Sequence, residues 1–219
     1  TSRILAYKAS YHCRPVLHRN DQVGNPDLPA ERLDSWELAY LGDWRQLRMS
    51  LDLRLFREKL KDREVVLRPA APGIPTPRSA QSVQDLTLRG YEFQWKWKPL
   101  EGTRLMVNYA HVDIDSQWSN NGQRIALVPG SNLDGDDALD YILLTENSAP
   151  RHSSSLMLVQ KLPGGLEFSL MHYRVGAMKW TRNTDVDAYR RTDARLAYPF
   201  VTGGMRGELA YTVQSLNGD

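Results

Sequence analysis

Along residues 44–60, Leu47, Met49, Leu51, Leu53 and Leu55 fall on odd positions, and Arg48, Ser50, Asp52 and Arg54 fall between them. Wound at 3.6 residues per turn, these side chains would scatter around a helix without forming an apolar stripe. At period two they sort onto opposite faces of an extended strand, one oily and one polar. The run predicts a strand about twice the usual length of roughly 5–6 residues. The same alternation recurs in 35–43 (Trp36, Leu38, Tyr40), 91–98 (Tyr91, Phe93, Trp95, Trp97) and 207–214 (Leu209, Tyr211, Val213). The segments 102–114, 153–162, 166–180 and 188–200 are less cleanly sorted but rich in strand formers. The pattern predicts an all-β chain of about eight long strands.

The connections alternate in length. Gly42 to Trp44, Pro99 to Gly102, Pro163 to Gly165 and 201–206 are tight; 60–84 and 115–151 are long, and 181–187 is intermediate. In an antiparallel up-and-down meander this places turns at one rim and loops at the other, the layout of an outer-membrane barrel. A soluble sandwich has no reason to sort its loops this way. Aromatic positions agree with a membrane setting, where girdles mark both interfaces. Trp44, Trp95, Trp97, Tyr198 and Phe200 lie near the tight turns, and Trp180 and Tyr189 flank the intermediate loop at the other rim. The expected fold is part of a transmembrane β-barrel, with leucines toward lipid and arginines toward a watery lumen.

Composition narrows the alternatives. The chain has 219 residues, is 41% hydrophobic and carries 28 basic and 26 acidic residues, for a net charge of +2. No basic block marks a nucleic-acid partner. No apolar run approaches the ~20 residues of a spanning helix, and the mean hydropathy of −0.52 is what a β-barrel also gives, since only alternate residues meet lipid. The single Cys13 belongs to no metal or redox pattern, and the first residues do not read as a signal peptide.

The stretch 24–56 carries the most specific motif: Asn25, Pro26, Leu28 and Glu31, then Ser35, Trp36, Glu37 and Tyr40 on a strand, then a tight turn into a long strand. It resembles the barrel of TonB-dependent outer-membrane receptors, and 90–99 and 191–200 look like later strands of the same barrel. The resemblance implies a 22-stranded barrel filled by an N-terminal plug domain. It implies a location in the outer membrane of a Gram-negative bacterium, in contact with outer-membrane lipid. It also implies uptake of a scarce ligand such as a ferric siderophore, haem or cobalamin, powered through the TonB complex by way of the plug. Residues 1–219 contain no plug and too few strands for that barrel, and "SLNGD" reads as the start of a final loop. They are expected to be the C-terminal portion of the barrel without its closing strand. Two rival readings are a small self-contained outer-membrane barrel with a structural or adhesive role and a soluble β-sandwich interaction module.

No catalytic motif and no cofactor site is evident. Ser169 and His172, three apart on one strand, should project to opposite faces and cannot act as a nucleophile–base pair. The aspartates of 131–140 lack the order of a calcium loop and read as a solvated acidic loop. His12, His18, His111, His152 and His172 follow no metal-ligand spacing. The Pro-rich tract 68–78 reads as part of a flexible outer loop or gate. The candidate substrate-binding residues are Arg48 and Arg54, expected on the lumen face of the 44–60 strand, where they would guide an anionic ligand or pair with Asp52 and plug carboxylates.

Overall fold

The computed structural model describes residues 22–67, 78–127, 136–181 and 183–217. After a short β1 (Gln22–Val23) come β2 (Arg32–Trp44), β3 (Met49–Leu67), β4 (Arg78–Trp97) and β5 (Thr103–Trp118). Two helices follow, α1 (Asn120–Ala126) and α2 (Asp136–Glu146), then β6 (His152–Lys161) and β7 (Glu167–Val175). A small hairpin, β8 (Met178–Thr181) with β9 (Thr184–Val186), precedes β10 (Tyr189–Thr202) and β11 (Met205–Val213). Eight strands, β2 to β7 with β10 and β11, pair antiparallel in chain order as one open meander, while β8 and β9 form a separate two-stranded sheet.

The tight turns lie together at one end. Gly203 and Gly204 both have positive φ, of 55° and 80°, and join β10 to β11 as a two-residue loop whose backbone suits the twist of the strands. At the β2–β3 turn the left-handed residue is Arg48, with φ 52°, following a single 3₁₀ turn at Arg45–Leu47. Leu47, expected on the strand, therefore belongs to this turn.

Register fixes the sidedness. One row of directly opposed residues runs Met49–Trp97–Leu105–Leu158–Leu170–Ala194, and the next runs Leu51–Trp95–Val107–Leu156. Above them lies Tyr40–Leu53–Phe93–Tyr109. Trp95 and Trp97 stack with centroids 5.5 Å apart near the turn end. Toward the loop end, Tyr91 lies against Tyr109 at 5.7 Å and against His111 at 5.4 Å. One row further, Arg57 opposes Arg89 and Arg89 opposes Asp113, so charge replaces apolar side chains. The apolar belt is thus bounded by aromatics at both edges, as a bilayer requires.

Nothing among the described residues covers this belt. Trp36, Leu38, Tyr40, Leu209 and Tyr211 are each more than half exposed, and the helices contact β4, β5 and β8. An apolar surface spread over eight strands is far larger than a monomer ordinarily leaves in water.

Where the structure departs from expectation, local chemistry explains it. The 60–84 connection is shorter than expected because β3 continues to Leu67 and β4 begins at Arg78. At ~3.3 Å per residue these strands reach roughly 60 Å, well beyond a belt of about 25 Å, so their loop-end halves stand in water and carry charge without ceasing to be strands. The long 115–151 connection contains α1 and α2. Ser119 caps α1 by accepting the Gly122 amide at 3.2 Å. Trp180 lies in the separate hairpin, and Tyr189 opposes Val175 on the inward face. The loop-end girdle is formed by Tyr91 and Tyr109 instead. Residues 68–77, 131–135, His12, His18 and Cys13 lie outside the described residues, whereas Asp136 to Asp140 open α2.

Candidate functional site: the inner face

The face opposite the belt is a polar trough of about 460 Å³ that spans β3 to β7. The Gln94 amide donates to Asn108 Oδ1 at 2.8 Å, and the Asn108 amide donates to Ser155 Oγ at 2.9 Å. This ladder crosses three strands in the row that also carries Asp52 and Tyr173. Arg54 rises one row away, 3.6 Å from Asp52 Oδ1 and 3.8 Å from Glu92 Oε1. Half-exposed pairs at these distances add little stability. Asp52 Oδ1 finds no hydrogen-bond donor among the described residues. One guanidinium between two carboxylates leaves this part of the trough slightly acidic rather than a field for anions.

Of the two arginines singled out from sequence, Arg54 lines the trough and Arg48 does not. Arg48 sits in the tight turn, where its carbonyl accepts the Lys98 amide at 2.9 Å. Six residues of strand, about 20 Å, separate it from Arg54. Ser169 and His172 lie on opposite faces, as their spacing required: Ser169 opposes Arg195, and His172 is 2.9 Å from Thr192 Oγ1. His111 and His152, 41 residues apart in sequence, meet with their Nδ1 atoms 3.3 Å apart on the outward face. No cluster of three or more metal-ligating side chains occurs among the described residues.

At the loop end, beyond the residues that line the trough, α1 and α2 pack on β4 and β5. Leu67 and Val83 are fully buried, with Val65, Trp118, Ile125 and Tyr141 packed on them. A bulge between Leu60 and Glu64, with Asp62 at φ 59°, re-aims Arg63. Arg63 Nη1 then donates to Gln84 Oε1 at 2.7 Å and to Thr145 Oγ1 of α2 at 3.0 Å. Burial pushes the Arg63 guanidinium below its ordinary value, partly offset by Glu31, yet an arginine stays charged. Sequence reading missed this clasp because the bulge that creates it leaves no motif. Thr145→Val is expected to cost about 1 kcal/mol by taking one of two acceptors from a half-buried charged donor. Amide exchange should rise selectively in α2; unchanged protection there would show that apolar packing alone holds the helix.

Just beyond the belt, Arg89 Nη2 donates to Asp113 Oδ2 at 2.9 Å and lies 3.2 Å from Asp115 Oδ2, while Arg151 Nη2 lies 3.8 Å from Asp113 Oδ1. The hydrogen bond from Arg89 holds the Asp113 carboxyl below the usual carboxylate range, against a desolvation effect of opposite sign. The stabilisation from this lowered value is present above the unfolded-state pKa and is lost as pH falls through the folded-state one. Asp113→Asn should therefore be less stable than the parent at neutral pH and converge with it in acid, read from urea unfolding across pH.

These features are those of a transmembrane barrel wall: an uncovered apolar face on one side and a polar trough on the other. The family model described as TonB dependent receptor-like, beta-barrel, matches residues 7–219, and the chain belongs to that family. It is a family of receptors and transporters, not of enzymes, found in the Gram-negative outer membrane. No curated protein matches the chain in sequence. Among solved structures, the ferric-catecholate import receptor Fiu of E. coli K12 is similar at a TM-score of 0.61 and 14% identity, over 89% of this chain and 24% of that one. BauA, the ferric preacinetobactin receptor of Acinetobacter baumannii, gives 0.59 and 15%, over 87% and 26%. The pyoverdine-bound receptor FpvA of Pseudomonas aeruginosa gives 0.56 and 14%, over 90% and 26%. At this identity the likeness is one of fold, and the chain spans about a quarter of each receptor's length.

Proposed function

We propose that residues 1–219 form the C-terminal portion of the barrel of a receptor that takes up a ferric siderophore across the outer membrane, driven through TonB by way of a plug domain. The observation that carries this reading is the sorting of one sheet into an uncovered apolar face and a polar trough on the opposite side. The solved receptors named above for ferric catecholate, ferric preacinetobactin and pyoverdine support a ferric chelate over haem or cobalamin. In this reading Arg54, held between Asp52 and Glu92, turns toward a plug carboxylate or the passing ligand, while Arg48 serves at the turn rim. A panel of radiolabelled ferric siderophores, haem and cobalamin offered to cells with and without the full-length receptor tests it. Loss of uptake of one ferric siderophore upon deletion is expected, and Arg54→Gln should lower that uptake by about threefold to tenfold, the worth of one ordinary net hydrogen bond from a half-exposed side chain. Loss of haem or cobalamin uptake alone would refute the ligand class, and unchanged uptake of all would refute the transport reading.

A further inference from the structure

On the outward face, register places Arg174 of β7 directly opposite Arg190 of β10. Like charges directly opposite destabilise a sheet. Another such pair on this face, Arg57 with Arg89, is neutralised by Asp113 and Asp115. Arg174 and Arg190 have no such relief: both are exposed, and no carboxylate lies within 4 Å of either guanidinium among the described residues. Ser154 opposes Arg174 in the same row, and the row toward the turns holds Leu156, His172 and Thr192, with Leu158, Leu170 and Ala194 beyond it. Their row continues through Ser154 to Tyr109, Phe93 and Leu53, but strand tilt carries the belt toward the turns across the sheet, its turn-end aromatics moving from Trp97 to Tyr198 two outward rows lower. On β7 and β10 the two arginines thus stand where the apolar side chains end, at the height where lipid headgroups begin.

We propose that Arg174 and Arg190 form a binding site for the phosphate of an outer-leaflet lipid. A phosphate oxygen bridging two forked guanidinia, with the Ser154 hydroxyl as a further donor, converts a repulsive pair into two charge-assisted contacts. The belt beneath supplies a surface for the same lipid's acyl chains, which a free anion would not use. The site rests on the membrane reading and is independent of the transported ligand.

The test uses the full-length receptor reconstituted into phosphatidylcholine nanodiscs containing bisphosphorylated lipid A, with lipid retention read by native mass spectrometry. The parent should retain lipid A about tenfold better than the double variant Arg174→Gln, Arg190→Gln. Arg174→Lys with Arg190→Lys should recover part of the difference, and dephosphorylated lipid A should be retained no better than by the Gln variant. Equal retention by parent and Gln variant, with both inserted, would overturn the lipid site alone. Displacement of lipid A by an equal concentration of inorganic phosphate would overturn the lipid as occupant. Failure of the parent to insert at all would overturn the membrane reading together with the site.

Discussion

Leu51→Arg is expected to destabilise the assembled full-length barrel by about 2–4 kcal/mol, the range for a cation at mid-bilayer on a lipid-facing strand position. Leu51 lies between Gly42 and Trp95, inside the belt that runs from Met49 to Leu55 on β3. No carboxylate shares its row, and snorkelling to either interface would carry the side chain past Leu53 or Met49. Arg54→Leu, three residues away on the other face, should cost only about 0–1 kcal/mol, because it removes half-exposed ion pairs of 3.6 and 3.8 Å. Urea titration of folding into phospholipid vesicles measures both. If Leu51→Arg assembled like the parent while Arg54→Leu failed, the two faces would be reversed.

Gly90→Val should produce the other large loss, at the upper end of the roughly 1–3 kcal/mol typical of overpacking. A Cβ at Gly90 would stand 2.2 Å from the carbonyl oxygen of His111 and 2.7 Å from Cζ of Phe56. The first contact is with backbone of the neighbouring strand, so β4 and β5 must part for the side chain to fit. Phe56 opposes Gly90 on β3 and folds its ring over the bare backbone, the device by which an aromatic compensates a strand glycine. Phe200 covers Gly207 in the same manner between β10 and β11. Gly24→Ala, where an added Cβ meets nothing within 4 Å, should stay within about 0.5 kcal/mol and serves as the control in the same titration.

These residues also mark how far the sequence can be read. Alternation at Met49, Leu51, Leu53 and Leu55 is a local property of period two, so the strand and its two faces follow from composition at adjacent positions. The ordering of tight turns and long connections survives too, because Gly102, Gly164, Gly165, Gly203 and Gly204 are written into the chain and take positive φ. Arg48 stands in the turn and not on the strand, and the sequence does not announce it, because a non-glycine residue with φ 52° reads as one more polar position of the alternation. The Arg63–Gln84–Thr145 clasp joins positions up to 82 residues apart through a bulge, and the His111–His152 contact depends on the exact pairing of β5 with β6. Helix α2 has Leu139, Ile142 and Leu143 at helical spacing, but in eleven residues this amounts to a single repeat, too short to announce a helix inside a loop. Long-range register and loop folding are cooperative outcomes of the whole sheet, so no window of sequence contains them.

The central claim is that the uncovered face touches hydrocarbon. Nitroxide labels placed singly at positions 50 to 55 of the full-length receptor in its bilayer, in a cysteine-free background, test it by collision with oxygen and with a water-soluble nickel chelate. Labels at 51, 53 and 55 should favour oxygen, and those at 50, 52 and 54 should favour the chelate or be shielded from both. Oxygen-rich contact at the even positions, or burial of the odd ones under protein, would contradict it.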